Sequence, residues 1–514
     1  MRRKLKKTQE RIEFGDFQTP SKLAREICSF LYSQGLRPQS VVEPTCGRGS
    51  FVLACLEMFG SAKQVIGIDI NDDYLTDLRN RIPAFTRVRL ELSNRDFFQI
   101  DWQSIFDKLP KPLLIVGNPP WVTSSQLGTL NGTNLPSKSN FQKYKGLDAV
   151  TGKSNFDISE WMLMRLCDWM QKHDAFLAML CKTTVARKVL RYAWRNEFRI
   201  RDVSIHIIDT KRYFGASVEG CLLTCRTGDP PSVKQCPVYE GFSNNKKISV
   251  VGLLDAELVA DLEKYRRWSF LDGIERYRWR SGVKHDCAKV MEFVVQQRRL
   301  RNGLGEFCDF EKDFLYPLFK GSDIVANRVA MPKRWVLVTQ KDVYENTSLV
   351  KEQAPKTWQY LIRHRDRLDN RKSSVYKGRP PFSMFGIGEY AFCLWKVCIC
   401  GLYKKFHFAV VGPYGDRPPM VDDTCYYIGC NSEEEALLIA SLLNSEPAKE
   451  FLSSLVFWDS KRPITNEVLR RLDLIPLSQE LGVSHALDQY VTRTLFDQQK
   501  TRPATADKEM IIGL

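Results

Sequence analysis

Seven short apolar runs punctuate the chain between Ser40 and Arg226: SVVEP, QVIGIDI, RVRLELS, PLLIVGN, AFLAML, VSIHIID and GCLLTCR. Stretches with helical periodicity, such as PSKLAREICSFLYSQ and FDISEWMLMRLCDWM, lie between them. Strands that alternate with amphipathic helices build an open, mostly parallel sheet with helices on both faces. The loop between the last two runs, around Ile205 and Leu222, is too short for a crossover helix, so those strands are expected to pair antiparallel.

A chain of 514 residues exceeds one ordinary core and implies two or three domains. After Arg226 the alternation stops. TGDPPSVKQCP is turn-rich and reads as a linker, and beyond it basic residues interleave with aromatics, as in KYRRWSF, ERYRWRS and QQRRLRNG. The expected division is a basic arm over 1–14, a catalytic α/β domain over 15–228, an α+β recognition domain over 229–475 and a polar tail over 476–514. The formal net charge of +16 points to a polyanionic partner, nucleic acid first, although basic charge can also serve solubility alone. The 15 cysteines include no Cys-x-x-Cys pair and none at zinc spacing, so they read as buried thiols of a reducing cytoplasm, bacterial or archaeal. No apolar run is long enough to span a bilayer, and the N-terminus lacks a secretory apolar segment.

SVVEPTCGRGSFVLACLE reads as strand, glycine turn, helix. Gly47 and Gly49 allow a sharp turn and close approach of a ligand. Val52 stands where the third glycine of a dinucleotide fingerprint would be, so no pyrophosphate turn is indicated. Three successive strand ends carry Glu43, Asp69 and Asp96. Each carboxylate alone reads as a helix cap or loop residue. Together, on the edge where open α/β sheets bind ligands, they suit a nucleoside without phosphate: Asp69 for ribose hydroxyls, Asp96 for an adenine amino group, Phe97 or Phe98 against the ring. S-adenosylmethionine (SAM) fits, with Thr19, Pro20, Pro44, Cys46 and Ile70 completing the expected contacts.

The fourth strand ends in Asn118-Pro119-Pro120-Trp121. Asn-Pro-Pro-aromatic is the catalytic motif of methyltransferases acting on planar amino or amide nitrogens. Its order here, after FGDFQTPSKLA, the glycine turn and the acidic strand ends, and before a basic C-terminal region, resembles the gamma group of restriction–modification DNA adenine-N6 methyltransferases over essentially the whole chain. The resemblance implies a class I SAM-dependent methyltransferase fold: Rossmann-like, with a mostly parallel seven-stranded sheet ending in an antiparallel hairpin, followed by a target-recognition domain. It also implies duplex DNA as substrate, no metal, a monomer, and possibly a separate cognate endonuclease.

The chemistry suits these residues. An exocyclic amino group conjugated to a purine is a poor nucleophile because its lone pair is delocalised. Two fixed acceptors, Asn118 Oδ1 and the Pro119 carbonyl, would hold its hydrogens while the lone pair re-forms toward the methyl donor, and the paired prolines limit reorganisation. Trp121 would stack on a flipped-out base. By the resemblance Phe214 supplies the second face, with Tyr213 as the fallback; its bland reading is a hairpin-tip aromatic. The polar loop VTSSQ…SNFDISEW, with Lys138, Lys143, Lys145 and Lys153, is expected to meet DNA or to be a plain surface loop. FKGSDI, SVYKGRPPFSMFGIGEYAF, DDTCYYI and LVFWDSKRPIT resemble specificity-region segments. There Arg276, Arg278, Arg298, Arg299, Arg301, Arg371, Lys372 and Lys377 are the DNA-contact candidates, with weight on the cluster rather than on any one.

Rival readings are an RNA adenine methyltransferase, a cytosine-N4 enzyme (usually with Ser in place of Asn118) and a non-catalytic DNA-binding protein on a retired fold. A fused nuclease is disfavoured because no Pro-Asp…Glu-x-Lys constellation follows the motif. Protein-glutamine methyltransferases share the motif but lack the large basic region.

Overall fold

The computed structural model describes residues 18–83, 87–122, 157–216, 218–242 and 246–490. The basic arm, the four loop lysines and the end of the tail lie outside these residues. The chain forms two compact units, 1–263 and 264–514.

In the first unit, helix α1 (Ser21–Ser33) leads to β1 (Ser40–Glu43), α2 (Ser50–Met58), β2 (Gln64–Asp69), α3 (Asp72–Arg79), β3 (Arg89–Asn94), α4 (Trp102–Lys108) and β4 (Leu113–Gly117). Then follow α5 (Ile158–Met170), β5 (Ala175–Lys182), α6 (Thr183–Arg195), β6 (Ile200–Ile208), α7 (Thr210–Phe214) and β7 (Gly220–Thr227). β8 (Gln235–Glu240), β9 (Lys247–Leu254) and β10 (Glu257–Val259) complete the unit's sheet. The order across it is β10-β9-β8-β6-β7-β5-β4-β1-β2-β3. The seven expected strands are all present, and β7 runs antiparallel between β5 and β6. The sheet is nevertheless ten-stranded, because β8 adds parallel to β6 and β9 and β10 follow antiparallel. The turn-rich segment after Arg226 is therefore a turn within one sheet, and the first unit reaches Glu263 rather than 228.

The sequence explains the layers. Every residue of β4 is buried, as expected for a central parallel strand covered on both faces. In α1, Leu23, Ala24, Ile27, Cys28 and Leu31 recur at helical spacing and form its buried face. Asn71 caps α3, its side chain accepting from the amides of Asp73 and Tyr74. The thirteen buried cysteines fill these and other cores as small apolar groups, and all fifteen are free thiols.

The second unit is α+β. One sheet has the order β14-β13-β12-β16-β15-β19 and the other β11-β20-β17-β18. Their strands are β11 (Arg280–Ser281), β12 (Glu292–Gln296), β13 (Arg299–Asn302), β14 (Phe307–Cys308), β15 (Leu315–Phe319), β16 (Arg334–Leu337), β17 (Trp395–Cys400), β18 (Ala409–Val411), β19 (Met420–Val421) and β20 (Cys425–Cys430). FKGSDI runs from the end of β15 into a short helix, Gly321–Val325. Buried Asp323 accepts from the Lys320 amide and from Arg334 at 3.0 Å, and a Cβ on Gly321 would lie 2.3 Å from Cys400 Sγ. Fully buried Lys396 donates to the carbonyls of Ala391, Cys393 and Pro419 at 2.6–3.0 Å, which pins the GEYAF segment to the start of β19. Burial draws its pKa down to about 8.

Candidate active site

The strand order reverses between β1 and β4, so the crevice at their carboxyl ends is a topological switch point where open α/β sheets hold ligands. Parallel registers bring the ends together: Glu43 sits opposite Gly67, Val42 opposite Ile115, and Asp69 opposite Asn94. Backbone bonds join the turns beyond, with Cys46 N–H donating to the Ile68 carbonyl at 2.8 Å and Arg95 N–H to the Asp69 carbonyl at 3.1 Å.

The glycine turn is held from both sides. Gly47 and Gly49 have φ of +52° and +76°, the left-handed region that favours glycine. Asp69 Oδ2 accepts from Gly47 N–H at 2.7 Å, and its Oδ1 accepts from Asn71 N–H at 2.8 Å. Asp69 thus locks the turn to β2. Ile70 beside it is a large apolar side chain left 43% exposed at the strand end, the character expected of a ring-contact surface.

Residues ahead of α1 dock on the same turn. The Arg48 amide donates to Gln18 Oε1 at 3.0 Å, and Ser50 Oγ donates to the Thr19 carbonyl at 2.6 Å. Pro20 is the N-cap of α1. Gln18, Thr19 and Pro20 therefore form part of the turn's wall, and sequence reasoning overlooked Gln18, whose side chain bonds the turn's backbone. A Cβ on Gly47 would lie 2.7 Å from Gln18 Oε1.

Two expected cofactor contacts have other duties. Glu43 is buried, and its Oε2 accepts from the Val52 amide at 2.9 Å, so it caps the first turn of α2. Burial holds its carboxyl well above the usual carboxylate range. Phe97 is buried among Trp102, Trp161 and Trp169 at centroid distances of 5.0–6.3 Å. That leaves half-buried Phe98, edge-on to Trp161 at 5.2 Å, as the more accessible of the two rings. Asp96 caps the turn after β3 by accepting from the Phe98 amide at 2.9 Å, and is half-buried.

Asn118 follows β4 directly, half-buried, with Pro119 and Trp121 buried and Pro120 half-buried behind it. Trp121 and Phe214 form a contacting pair: their centroids are 5.6 Å apart and the rings are tilted by 52°. A base stacked between two rings requires about 7 Å, two van der Waals contacts, so in this arrangement the pair forms one aromatic wall rather than a slot. Gly220 makes room for it, because a Cβ there would lie 2.7 Å from Trp121 Cη2. Tyr213 turns to α1, donating its hydroxyl to Glu26 at 2.6 Å.

Lys182, the last residue of β5, is a positioning residue that sequence reasoning missed. Its Nζ donates to the Trp121 carbonyl at 3.3 Å and to Asp157 Oδ2 at 2.6 Å. Asp157 caps α5, and Ile158 N–H donates to the Val122 carbonyl at 3.0 Å, so the chain re-enters the fold beside the point where it leaves the motif. Lys182→Met is expected to lower the single-turnover rate about ten- to a hundredfold through misplacement of the motif. SAM affinity, measured by calorimetry, should stay within about twofold. The double variant with Asp157→Asn removes the buried charge left unpaired and should keep the rate loss.

In the second unit, Arg278, Arg298, Arg299, Arg301, Lys372 and Lys377 are exposed. Arg276 is half-buried, 3.7 Å from Asp473. Arg371 differs from expectation. Its guanidinium donates to the carbonyls of Leu368, His285 and Ser383 at 2.6–3.2 Å and lies 3.6 Å over the Tyr376 ring, so it braces this fold from within.

The strand order, the glycine turn at the switch point and the Asn-Pro-Pro turn on the same edge define a class I methyltransferase fold. No family model matches the chain. It is 45% identical over 470 residues to the Type II methyltransferase M.NspV of Nostoc sp. (strain ATCC 29411 / PCC 7524), covering 91% of this chain and 98% of that protein. The chain belongs to the Type II methyltransferases. A shorter match, 32% identical over 116 residues (22% of this chain, 26% of that one), is to the Type II methyltransferase M.CvrRI of Paramecium bursaria Chlorella virus XZ-6E. Among solved structures, the Type IIL restriction-modification enzyme MmeI in complex with DNA shares the fold, with a TM-score of 0.52 at 14% identity over 87% of this chain. The present chain spans 64% of that enzyme's length. The methyltransferase fold implies SAM as the methyl donor.

Proposed function

We propose that the protein is the modification enzyme of a Type II restriction–modification system, methylating the N6 amino group of an adenine flipped out of duplex DNA at a short specific site. The observation that carries this reading is the Asn-Pro-Pro-Trp turn leaving β4 on the edge that also bears the glycine turn and Asp69. The likeness to M.NspV along nearly the whole chain and the fold shared with the DNA-bound MmeI support it. The protein acts as a monomer, and cleavage falls to a separate endonuclease.

The cofactor would be held by the backbone of Gly47 and Gly49, by Asp69 and Ile70, and by Asp96, and it supplies a sulfonium-bound methyl carbon that is already electrophilic. Asn118 Oδ1 and the Pro119 carbonyl accept the two amino hydrogens, so the nitrogen lone pair turns out of conjugation toward that carbon. The new N–C bond forms as the C–S bond breaks. The amide of Asn118 has negligible basicity at neutral pH, so the surplus proton leaves to water. Trp121 packs against the purine, which requires the present Trp121–Phe214 contact to open or the base to lie along the wall they form.

The test is to incubate unmodified genomic DNA with protein and SAM and to sequence it for modified bases. N6-methyladenine confined to one recurrent short site is the expected outcome. Modification of cytosine N4 alone, or of structured RNA with none on duplex DNA, would refute the reading. Failure to bind SAM at millimolar concentration would favour a non-catalytic DNA-binding protein.

A further inference from the structure

We infer that the β12–β13 ribbon of the second unit reads base edges in the major groove of the target duplex, with Gln296, Arg299 and Arg301 on its reading face and Gln297 and Arg298 at its tip. The inference rests on the duplex-DNA reading given above and names the element that sets its sequence specificity.

The register defines the face. Val294 pairs with Arg301 and Gln296 with Arg299, so these four side chains share one side of the ribbon, and Phe307 of β14, opposite Arg301, joins them. The other side carries Phe293, buried in the core. Of β12, only Glu292 and Phe293 pair with β16, so the ribbon from Val294 onward projects past it. β14 flanks β13 only at Leu300 and Arg301, so the tip beyond is two-stranded, and a two-stranded ribbon enters a major groove about 12 Å wide.

The chemistry of the face matches base edges. VVQQRRLR contains no carboxylate. The Arg299 guanidinium lies 4.9 Å over the Phe307 ring and makes no hydrogen bond to a described residue, so its donor fork is held in place yet open for the paired acceptors of a guanine. Arg301 is steadied by Gln296 Oε1 at 3.0 Å and by the Gly305 carbonyl at 3.3 Å. Val294 and Phe307, 43% and 42% exposed, interleave with the arginines and suit thymine methyl groups.

The tip is a second, independent observation. Gln297 and Arg298 have φ of +52° and +59°, both left-handed, in a two-residue turn where Asn-Gly is the favoured pair. Neither side chain makes a hydrogen bond to a described residue. The chain thus keeps two long polar side chains in a conformation that costs it stability, at the point that would reach furthest into the groove.

The test compares the full-length wild type with two variants, Gln297→Asn/Arg298→Gly and Arg299→Ala/Arg301→Ala, by mapping methylated sites on genomic DNA and by measuring Tm. The turn variant should melt at or above the wild-type temperature. In both variants methylation should spread to sites differing at one or two positions, with discrimination down about ten- to a hundredfold for each lost contact. Unchanged site and discrimination in both would overturn the inference. So would a reduced salt dependence of binding with unchanged site preference, which marks phosphate contacts instead. A wild type that methylates no duplex DNA would overturn the functional reading itself, and the ribbon's role with it.

Discussion

Asn118→Ala is expected to lower the methyl-transfer rate by at least about a hundredfold, the scale of loss when one preorganised group that stabilises developing charge is removed. The affinities for SAM and for duplex DNA should stay within a few-fold of wild type. The reasoning is local. Pro119 and Pro120 fix two φ angles and remove two backbone donors, so the turn after β4 keeps its shape when the side chain goes. Lys182 still holds the Trp121 carbonyl, and Asp69 still holds the glycine turn. In the proposed mechanism, what disappears is one of two acceptors for the amino hydrogens. The remaining Pro119 carbonyl cannot hold both hydrogens, so the nitrogen lone pair stays delocalised. Rapid-quench kinetics with saturating DNA separates this from a binding defect: a normal rate would remove Asn118 from the mechanism.

The second large effect is expected at Gly49. Its φ of +76° disfavours any L side chain, and a Cβ there would lie 2.3 and 2.5 Å from the two methyl carbons of buried Leu78. Gly49→Ala should destabilise the first unit by about 2–4 kcal/mol, combining left-handed strain with displacement of a packed leucine. SAM affinity should fall more than about tenfold because the turn can no longer present its amides. Gly60→Ala, where an added Cβ meets nothing within 4 Å, is the control and should leave both quantities nearly unchanged. Denaturant titration and calorimetry check the pair. Equal behaviour of the two variants would contradict the account of the turn.

Much of the first unit was legible because its signals are local. Runs such as LLIVG announce buried parallel strands, and glycines between a strand and a helix announce the turn. The β8–β10 extension was not legible. TGDPPSVKQCP has the composition of a linker, and nothing within it shows that the next strand adds beside β6. Position alone makes Glu43 and Phe97 ligand contacts, but Glu43 turns back to cap the helix that follows it, and Phe97 is covered by Trp161 and Trp169 of α5, which is distant in sequence. Lys182 was invisible for the same reason: its partners Trp121 and Asp157 are 61 and 25 residues away in sequence. In the second unit the basic clusters were plain, yet composition could not separate Arg371, which braces carbonyls inside the fold, from Arg299, which stands on an exposed ribbon.

The central claim is that this sheet edge delivers a methyl group to an exocyclic adenine nitrogen through Asn118. It is tested most directly by supplying methyl-labelled SAM and duplex DNA, digesting the product to nucleosides and locating the label. The account predicts label in N6-methyldeoxyadenosine with wild type and almost none with Asn118→Ala. Label in N4-methyldeoxycytidine, or undiminished adenine label in the variant, would contradict it.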